Sequence, residues 1–306
     1  MAAARKGTES GLQPRLAFSG NQDKKIMIGR KGFCIMLKII ITGAAGRMGR
    51  RLVANIAAQN DLKLVGATEW SGSEFLGTDA GMLAGVGALN VPLTDSLASI
   101  VRGADAVIDF STGNTLENAK LCAENNVAIV IGTTALSPEV KAGLDDLAAK
   151  GAKIVQSYNY SIGVNVLFHL TKVAARALPE DFDLEVIEAH HNKKKDAPSG
   201  TAVSLADILC QARGLSPEND IRHGRQGLVG ARTRKEIGMH AIRGGDIVGD
   251  HTVMFIAEGE RIELTHRAGS RDMFARGAIR AARWICEGKA PGKVCSMQDV
   301  LADLFA

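Results

Sequence analysis

The segment LKIIITGAAGRMG, residues 37–49, predicts the architecture of the chain. A short apolar strand runs into three glycines spaced G-x-x-G-x-x-G, and an amphipathic stretch follows to about Gln59. A second strand, residues 63–68, ends at Glu69, 20 residues after Gly49. This order is typical of a dinucleotide-binding βαβ unit, in which small residues admit a pyrophosphate to a helix N-terminus and the acid binds a ribose. The glycine spacing departs from the commoner G-x-G-x-x-G, and by itself it also fits an ordinary tight turn.

Strands and helices continue to alternate along the next hundred residues. Apolar runs at 106–109, 128–131 and 153–156 are separated by helical patterns at 115–125 and 138–150. This rhythm predicts a Rossmann-like α/β domain with a doubly wound parallel sheet. Small residues at 132–134 follow one of these strands at the edge where a cofactor would bind, although an ordinary strand-to-loop turn fits them equally well.

The pattern changes after Asn159. A long helix (163–177), a strand (183–189) and a further helix (199–211) precede three strand-like runs between 237 and 266, which predict an antiparallel meander. The last helix, 274–287, is expected to return to the first domain. We therefore predict that residues 37–161 and 271–306 form a dinucleotide-binding domain. Residues 162–270 would form a second, α+β domain that has a mixed or antiparallel sheet and binds the substrate.

Composition supports an α/β protein and argues against a nucleic-acid partner. Hydrophobic residues make up 46% of the 306 residues, with 34 glycines and only 4% aromatic residues. The net charge is +4, but residues 1–36 hold seven of the 37 basic residues and two of the 33 acidic ones. The remainder of the chain is therefore almost neutral, and a sustained basic face for phosphate binding is not expected.

The cysteines and the first residues bear on the compartment. Five scattered cysteines without a C-x-x-C pair predict neither a disulfide framework nor a zinc site, and they favour the reducing cytoplasm. The sequence has no run of 18 apolar residues, so no membrane span is expected. Residues 1–36 lack apolar periodicity and a signal-peptide pattern. We expect a disordered N-terminal extension there, with Met36 as an alternative start.

The segment EAHHNKKKDAPSGT, residues 188–201, concentrates the polar chemistry of the chain. Ser199 or Thr201 can cap the following helix, and Gly200 leaves backbone N–H groups open to a carboxylate. The lysines add charge that suits a substrate with more than one carboxylate, and a histidine can supply a proton near neutral pH. A solvated basic turn with capping residues explains the same composition. A metal site has less support, because adjacent histidines on an extended chain point to opposite sides.

Extended to Ala202, this segment resembles the signature of dihydrodipicolinate reductases. The similarity includes GAAGRMG (43–49), GTT (132–134), YNYSIGVN (158–165) and RGGDIVGDH (243–251), so it spans essentially everything from Leu37 onward. The resemblance implies reduction of 4-hydroxy-tetrahydrodipicolinate to tetrahydrodipicolinate with NADH or NADPH, in the diaminopimelate route to lysine. It also implies a homotetramer assembled through the second domain.

The resemblance assigns roles to individual residues. His190 matches the proton donor and Lys194 the second catalytic group. The substrate-binding residues are expected to be His191, Ser199, Gly200 and Thr201. The cofactor-binding residues are expected to be Gly43, Ala44, Ala45, Gly46, Arg47, Met48, Glu69, Gly132, Thr133, Thr134, Ser157, Tyr158, Asn159, Tyr160 and Arg271.

One departure from the family concerns cofactor choice. Trp70 stands where several members have Arg, directly after the ribose-binding acid. Its ring can stack on adenine but cannot pair with the 2′-phosphate of NADPH, so Arg47 is the remaining candidate cation. We predict that NADH is used at least as well as NADPH.

Two other functions are weighed against this one. One is another Rossmann dehydrogenase, for instance a semialdehyde or amino-acid dehydrogenase. The semialdehyde type would need a cysteine nucleophile, and no cysteine lies in a motif that suggests one. A non-catalytic dinucleotide sensor would not need the histidine and lysine cluster.

Overall fold

A computed structural model describes residues 36–134, 136–288 and 292–305, and its first half contains a six-stranded parallel sheet. The strands are β1 (Leu37–Thr42), β2 (Leu62–Thr68), β3 (Leu93–Thr94), β4 (Ala106–Asp109), β5 (Ala128–Ile131) and β6 (Ile154–Gln156). They lie in the order β3-β2-β1-β4-β5-β6, and each neighbouring pair is parallel. The strand order reverses between β1 and β4, which makes their carboxyl ends the expected ligand crevice of a doubly wound fold.

Helices cover both faces of this sheet. The helices of the chain are α1 (Arg47–Ala57), α2 (Ala80–Ala84), α3 (Thr115–Glu124), α4 (Pro138–Ala149), α5 (Ile162–Ala177), α6 (Gly200–Arg213), α7 (Pro217–Asp220), α8 (Asp272–Cys286), α9 (Met297–Val300) and α10 (Ala302–Phe305). Ile39 and Ile41 of β1 share one core with α1 and α8, whereas Ile40 shares another with α3 and α4. Because both faces are buried, β1 reads as a continuous apolar run rather than an alternating one.

A second, mixed sheet follows α5. Its strands are β7 (Asp183–His190), β8 (Ile221–His223), β9 (Ile237–Arg243), β10 (Asp250–Ala257) and β11 (Glu260–Arg267). They lie in the order β11-β10-β7-β9-β8. Helices α5 and α6 cover one face, where Val186, Leu205 and Phe255 are fully buried. Alternate residues of β7 are buried and half-buried, as expected for a sheet with one covered face.

The antiparallel meander predicted for residues 237–266 is wrong in part. Strands β10 and β11 form an antiparallel hairpin, but β9 does not pair with β10. Strand β7 lies between them, parallel to β9 and antiparallel to β10. Alternation along a strand indicates which of its residues face the core, but it does not indicate which strand is its neighbour. The sequence pattern therefore could not show that β7, from earlier in the chain, lies between β9 and β10.

The predicted elements otherwise lie close to the observed ones. The last long helix, α8, packs on the first sheet beside α1. The short elements α2, β3 and β8 were not predicted, because two to five residues are too few to show a period. The proposed domain boundaries remain predictions, and the predicted N-terminal extension lies outside the described residues except for Met36. Within the described ranges, no helix has the length and apolar character needed to cross a bilayer.

Candidate active site

In the glycine turn between β1 and α1, the backbone of the first turn of α1 lies close to the backbone of Gly43. Gly43 has a φ of +69°, a conformation that favours glycine. A Cβ on Gly49 would lie 2.2 Å from the carbonyl oxygen of Gly43, so a side chain there would force the turn apart. Gly46 is the N-cap of α1 and has no side chain to cap the helix. The first N–H groups of α1 are thus available to an anion, which is the fit expected for a pyrophosphate.

Glu69 lies at the end of β2, beside this turn. Its Oε1 accepts a hydrogen bond of 2.9 Å from the N–H of Ala45, which orients the carboxylate. Trp70 follows it and is 70% exposed, with its ring lying over Gly72, where a Cβ would be 1.9 Å from the ring. The carboxylate is placed to accept from ribose hydroxyls, and the indole offers an apolar surface beside it.

A cavity of about 680 Å³, the glycine-turn cavity, opens over Gly43, Gly46, Glu69 and Trp70. Of the described residues that line it, two are acidic, Glu69 and Asp95, and none is Lys or Arg. The lining therefore suits the uncharged hydroxyls of an adenosine ribose better than an added 2′-phosphate. The glycine turn and the acid together fit a nicotinamide dinucleotide.

Asp109 lies behind three residues that line the same cavity, Thr42, Ser111 and Asn118. Its carboxylate is fully buried at the end of β4 and accepts from the Thr42 hydroxyl at 2.7 Å. It also accepts from the backbone N–H and hydroxyl of Ser111, at 2.8 and 2.6 Å, and from the amide of Asn118 at 3.2 Å. These hydrogen bonds join the carboxyl ends of β1 and β4 at the point where the strand order reverses.

A second cavity, of about 600 Å³, brings predicted residues from both halves of the chain together, and we term it the histidine cavity. Thr134, Tyr158 and Asn159 line it from loops of the first sheet. The end of β7 and the segment that follows it contribute the remaining predicted residues, which are His190, Lys194, Ser199, Gly200 and Thr201. The side-chain amide of Asn159 donates to the Thr201 hydroxyl at 3.1 Å and so connects the two groups.

The side chain of His190 is held from behind by a buried carboxylate. Nδ1 of His190 lies 2.6 Å from Oε2 of Glu188, which has no solvent exposure. Arg243 donates two hydrogen bonds of 2.8 Å, one to each oxygen of Glu188. Burial acts to raise the pKa of Glu188, but the hydrogen bonds from Arg243 and His190 outweigh it and hold the pKa below its usual value. Glu188 is therefore an anion at neutral pH.

His251 packs behind His190. The two rings meet edge to face, with centroids 5.2 Å apart, and Nε2 of His251 lies 2.9 Å from the Ser199 hydroxyl. Burial, followed by the nearby charge of His190, lowers the pKa of His251 to about 4. His251 is consequently neutral at pH 7 and adds no positive charge behind His190.

The other residues predicted to be catalytic or to bind the substrate differ in their surroundings. The ammonium of Lys194 pairs with Asp196, at 2.9 and 2.8 Å from its two oxygens. Ser199 is buried and caps α6, because its hydroxyl accepts from the N–H of Ala202 at 3.2 Å. A Cβ on Gly200 would meet nothing within 4 Å, so the N-terminus of α6 is open toward the cavity. This end of the helix, with Lys194, is a suitable site for a carboxylate.

His191 and Arg271 lie to one side of the histidine cavity. Arg271 and Arg47 line a separate cleft of about 520 Å³ beside α1. Burial, followed by the charge of Arg271, lowers the pKa of His191, and its Nδ1 has no hydrogen-bond partner among the described residues. His191 does not line the histidine cavity, and the charges that act on it come from Arg271 and Arg47 as well as from His190 and Lys194.

The side chain of Tyr160 points into the core. It is 2% exposed, and its hydroxyl donates to the carbonyl of Ile131 at 2.8 Å. A Cβ on Gly277 would lie 1.7 Å from the Tyr160 carbonyl oxygen, so the backbone of Tyr160 is covered as well. The placement makes Tyr160 a support for the ends of β5 and β6 rather than a surface offered to a cofactor.

Family models cover both halves of this arrangement. The model for the N-terminus of dihydrodipicolinate reductase matches residues 37–160, and the model for its C-terminus matches residues 163–301. The chain belongs to the dihydrodipicolinate reductase family.

Curated relatives of this reductase carry the name 4-hydroxy-tetrahydrodipicolinate reductase. The protein from Geobacter metallireducens is 50% identical over 267 residues, which cover 87% of this chain and 99% of the relative. The protein from Syntrophotalea carbinolica is 49% identical over the same length, with the same coverage of each chain. Both alignments leave out a stretch equal in length to about an eighth of this chain.

Solved structures agree with this family assignment. A dipicolinate-bound dihydrodipicolinate reductase from Paenisporosarcina sp. TG-14 superposes with a TM-score of 0.68 at 25% identity, covering 86% of this chain and 98% of that one. A myo-inositol dehydrogenase from Corynebacterium glutamicum superposes with a TM-score of 0.55 at 16% identity, covering 88% and 93% of the two chains. At that identity the second likeness concerns the fold alone.

Sequence reasoning gave no role to several polar residues of this reductase site. Asp109 and Ser111 follow a buried strand next to β1, and the rule that ligands bind at the strand-order reversal would have found them. Glu188 precedes His190 by two residues on one strand, a spacing that places both side chains on one face. No sequence signal marked Arg243 or His251 as their partners, because both lie on other strands.

The depressed pKa of His251 predicts a loss of stability in acid. A histidine in the unfolded chain takes up a proton near pH 6.5, whereas buried His251 does so near pH 4. Between these values the unfolded state binds more protons than the folded reductase, so the free energy of unfolding should fall by roughly 3 kcal/mol as the pH drops. Burial also lowers the pKa of His266, which adds to the slope in the same direction.

Urea unfolding between pH 7 and pH 4 measures this effect. His251→Gln should flatten the dependence of unfolding free energy on pH. His223→Gln, which changes an exposed histidine, should leave the slope of the parent protein intact. An unaltered slope in His251→Gln would contradict the assignment.

Proposed function

We propose that this chain reduces 4-hydroxy-tetrahydrodipicolinate to tetrahydrodipicolinate with NADH or NADPH, in the diaminopimelate route to lysine. The observation that carries the proposal is the histidine cavity, where His190 and Lys194 face loops of the dinucleotide-binding sheet. Family membership and the names of the curated relatives support the same activity.

The substrate is a ring with two carboxylates, and the chain offers separate groups for them. Gly200 and Thr201 present the open N-terminus of α6, where helix N–H groups favour a negative charge. Lys194 supplies an ammonium at the same cavity. When the substrate binds, one of its carboxylates would replace Asp196 as the ion-pair partner of Lys194. His191, close to Arg47 and Arg271, is the proposed further contact.

When bound, NADH or NADPH would supply a hydride to a ring carbon of the C=C–C=N system that forms when the substrate loses water. His190 donates a proton to the neighbouring carbon and becomes neutral, so that the ring gains one hydride and one proton. Loops at Gly132–Thr134 and Ser157–Asn159 would hold the nicotinamide end against the substrate, because Thr134, Tyr158 and Asn159 line the same cavity as His190.

The cysteines support this reductase over a semialdehyde dehydrogenase. Burial raises the pKa of the Cys122 thiol to about 12 and those of Cys210 and Cys286 to about 11, so these thiols are poor nucleophiles at neutral pH. None of the described cysteines lines either cavity. The four described cysteines are also free, which supports the proposal that the enzyme works in the reducing cytoplasm.

Alanine variants of the two proposed catalytic residues test the reaction. His190→Ala and Lys194→Ala should each lower kcat by about 10²- to 10⁴-fold, the usual contribution of an acid–base group, while binding of NADH stays unchanged. Lys195→Ala, which changes an exposed lysine of the same loop, serves as the matched control and should keep kcat within about twofold. Coupling the enzyme to a dihydrodipicolinate synthase and following loss of reduced nicotinamide gives the rates. Near-normal turnover in either variant would remove that residue from its role.

The lining of the glycine-turn cavity predicts the cofactor preference. Without a cation there, kcat/KM for NADH should equal or exceed that for NADPH. Trp70→Arg should raise kcat/KM for NADPH about tenfold, since an arginine–phosphate pair contributes about 1–2 kcal/mol at a partly exposed site. Trp70→Gln controls for loss of the ring. A strong NADPH preference of the parent enzyme would show that another cation, with Arg47 the first candidate, reaches the phosphate.

A homotetramer assembled through the second sheet is part of the proposal. The face of this sheet opposite α5 and α6 carries Ile187, Ile242 and Met254, and Ile242 is 52% exposed. Light scattering should give the mass of four chains, and Ile242→Glu should reduce it because the new charge would be buried in the interface. Val173→Glu, at an exposed apolar position on α5, should not change the mass. A monomeric parent protein would contradict the proposal.

A further inference from the structure

Glu188 is a buried carboxylate to which the proposed reaction gives no task. It lies two residues before His190 on β7, facing the same side of the sheet. Its two oxygens accept four hydrogen bonds: two from Arg243, one from the backbone N–H of Ser199 at 3.0 Å and one from Nδ1 of His190. An ion without solvent exposure is costly, and such extensive hydrogen bonding is needed to offset that cost.

Further contacts surround the ring of His190, which still lines the histidine cavity. Arg243 is the register partner of His190 on β9, so the guanidinium reaches Glu188 across the strand pair. The edge-to-face contact with His251 covers one flank. A Cβ on Gly249 would lie 3.0 Å from Nε2 of His190, so the missing side chain leaves the room that this nitrogen occupies.

We propose that Glu188, made an obligate acceptor by Arg243, is a positioning residue that keeps a proton on Nδ1 of His190 and leaves Nε2 as the atom that gives and regains the catalytic proton. The inference rests on the proposed reductase function.

The chemistry of the two groups determines the direction of this hydrogen bond. An ionised carboxylate can only accept, so Nδ1 must be the donor. Neutral imidazole has one N–H, and its placement on Nδ1 leaves Nε2 as the sole nitrogen that can take up or release a proton.

Several charged or titratable groups surround His190, and they bear on any pH effect. They are Glu188 on its own strand, Arg243 on β9, His251 on β10, and His191, Lys194 and Asp196 in the loop that follows β7. Glu188 is the member hydrogen-bonded to the ring, and it is anionic throughout the range of a kinetic profile. Its removal should therefore dominate over the others.

A pair of charge-removing variants separates positioning from folding. Glu188→Gln should lower kcat by about 10- to 10³-fold while binding of NADH and of dipicolinate changes less than about threefold. Glu185→Gln is the matched control. Glu185 is also on β7 and accepts from Arg225 at 2.7 Å and from His240 at 2.8 Å, but it faces the opposite side of the sheet. It should keep kcat within about twofold, whatever it does to the unfolding temperature. Equal losses of kcat in the two variants would overturn the proposal.

One kinetic readout responds only to a role through His190. In a His190→Ala background, Glu188→Gln should cause no further loss of kcat, since the group it acts through is absent. A full additional loss in the double variant would assign Glu188 a different role.

The parent enzyme provides a test that does not depend on a variant folding. Nitrogen NMR of ¹⁵N-histidine-labelled protein at high pH should show the signal missing from His190→Ala as the Nδ1–H form, the minor tautomer of free histidine. The Nε2–H form would overturn the proposal. Failure of the proposed function is distinguishable, because the parent enzyme would then not turn over the substrate although this tautomer could still be observed.

Discussion

The buried carboxylate of Glu188 is the interaction on which the second half of the site depends. Its charge has no solvent to stabilise it, so it holds hydrogen-bond donors from three parts of the fold around one point: Arg243 from β9, Ser199 from the start of α6 and His190 from its own strand. Each donor belongs to an element that packs elsewhere. The hydrogen bonds that offset the cost of burying the charge of Glu188 therefore also fix the relative positions of β9, the N-terminus of α6 and the imidazole of His190.

The first half of the site depends on close backbone approach in a similar way. Helix α1 can start directly at the edge of the sheet because Gly49 brings it against the carbonyl of Gly43 with no side chain between. Asp109, a second buried carboxylate, ties β1 to the loop after β4. In both halves, a buried acid (Asp109 or Glu188) or a glycine (Gly49) holds in place the groups that a ligand would contact. Those groups themselves remain exposed to the cavities.

Particular elements show where sequence reasoning succeeded and where it failed. The β1–α1–β2 unit is formed by contiguous residues, and its glycines, apolar run and acid predicted it correctly. Both strands form, and Glu69 lies beside the glycine turn that begins at Gly43. The position of β7 between β9 and β10 is not local, and the predicted meander was wrong there. Tyr160 lies within a motif expected to bind the cofactor, yet its hydroxyl bonds the carbonyl of Ile131 in the core. A motif marks a segment, but the direction of each side chain depends on packing.

The sequence by itself determined the class of fold, the family and the polar segment that contains His190, because short-range periodicity, glycine spacing and the 188–202 signature are properties of contiguous residues. Only the tertiary structure decided which groups stand behind His190 and which loops share its cavity. Glu188 and Arg243 are 55 residues apart in the chain, and Asn159 and Thr201 are 42 apart. Such pairs form only when strands and helices pack, since the electrostatic and hydrogen-bonding forces that link them act over a few ångströms of space and are independent of distance along the chain.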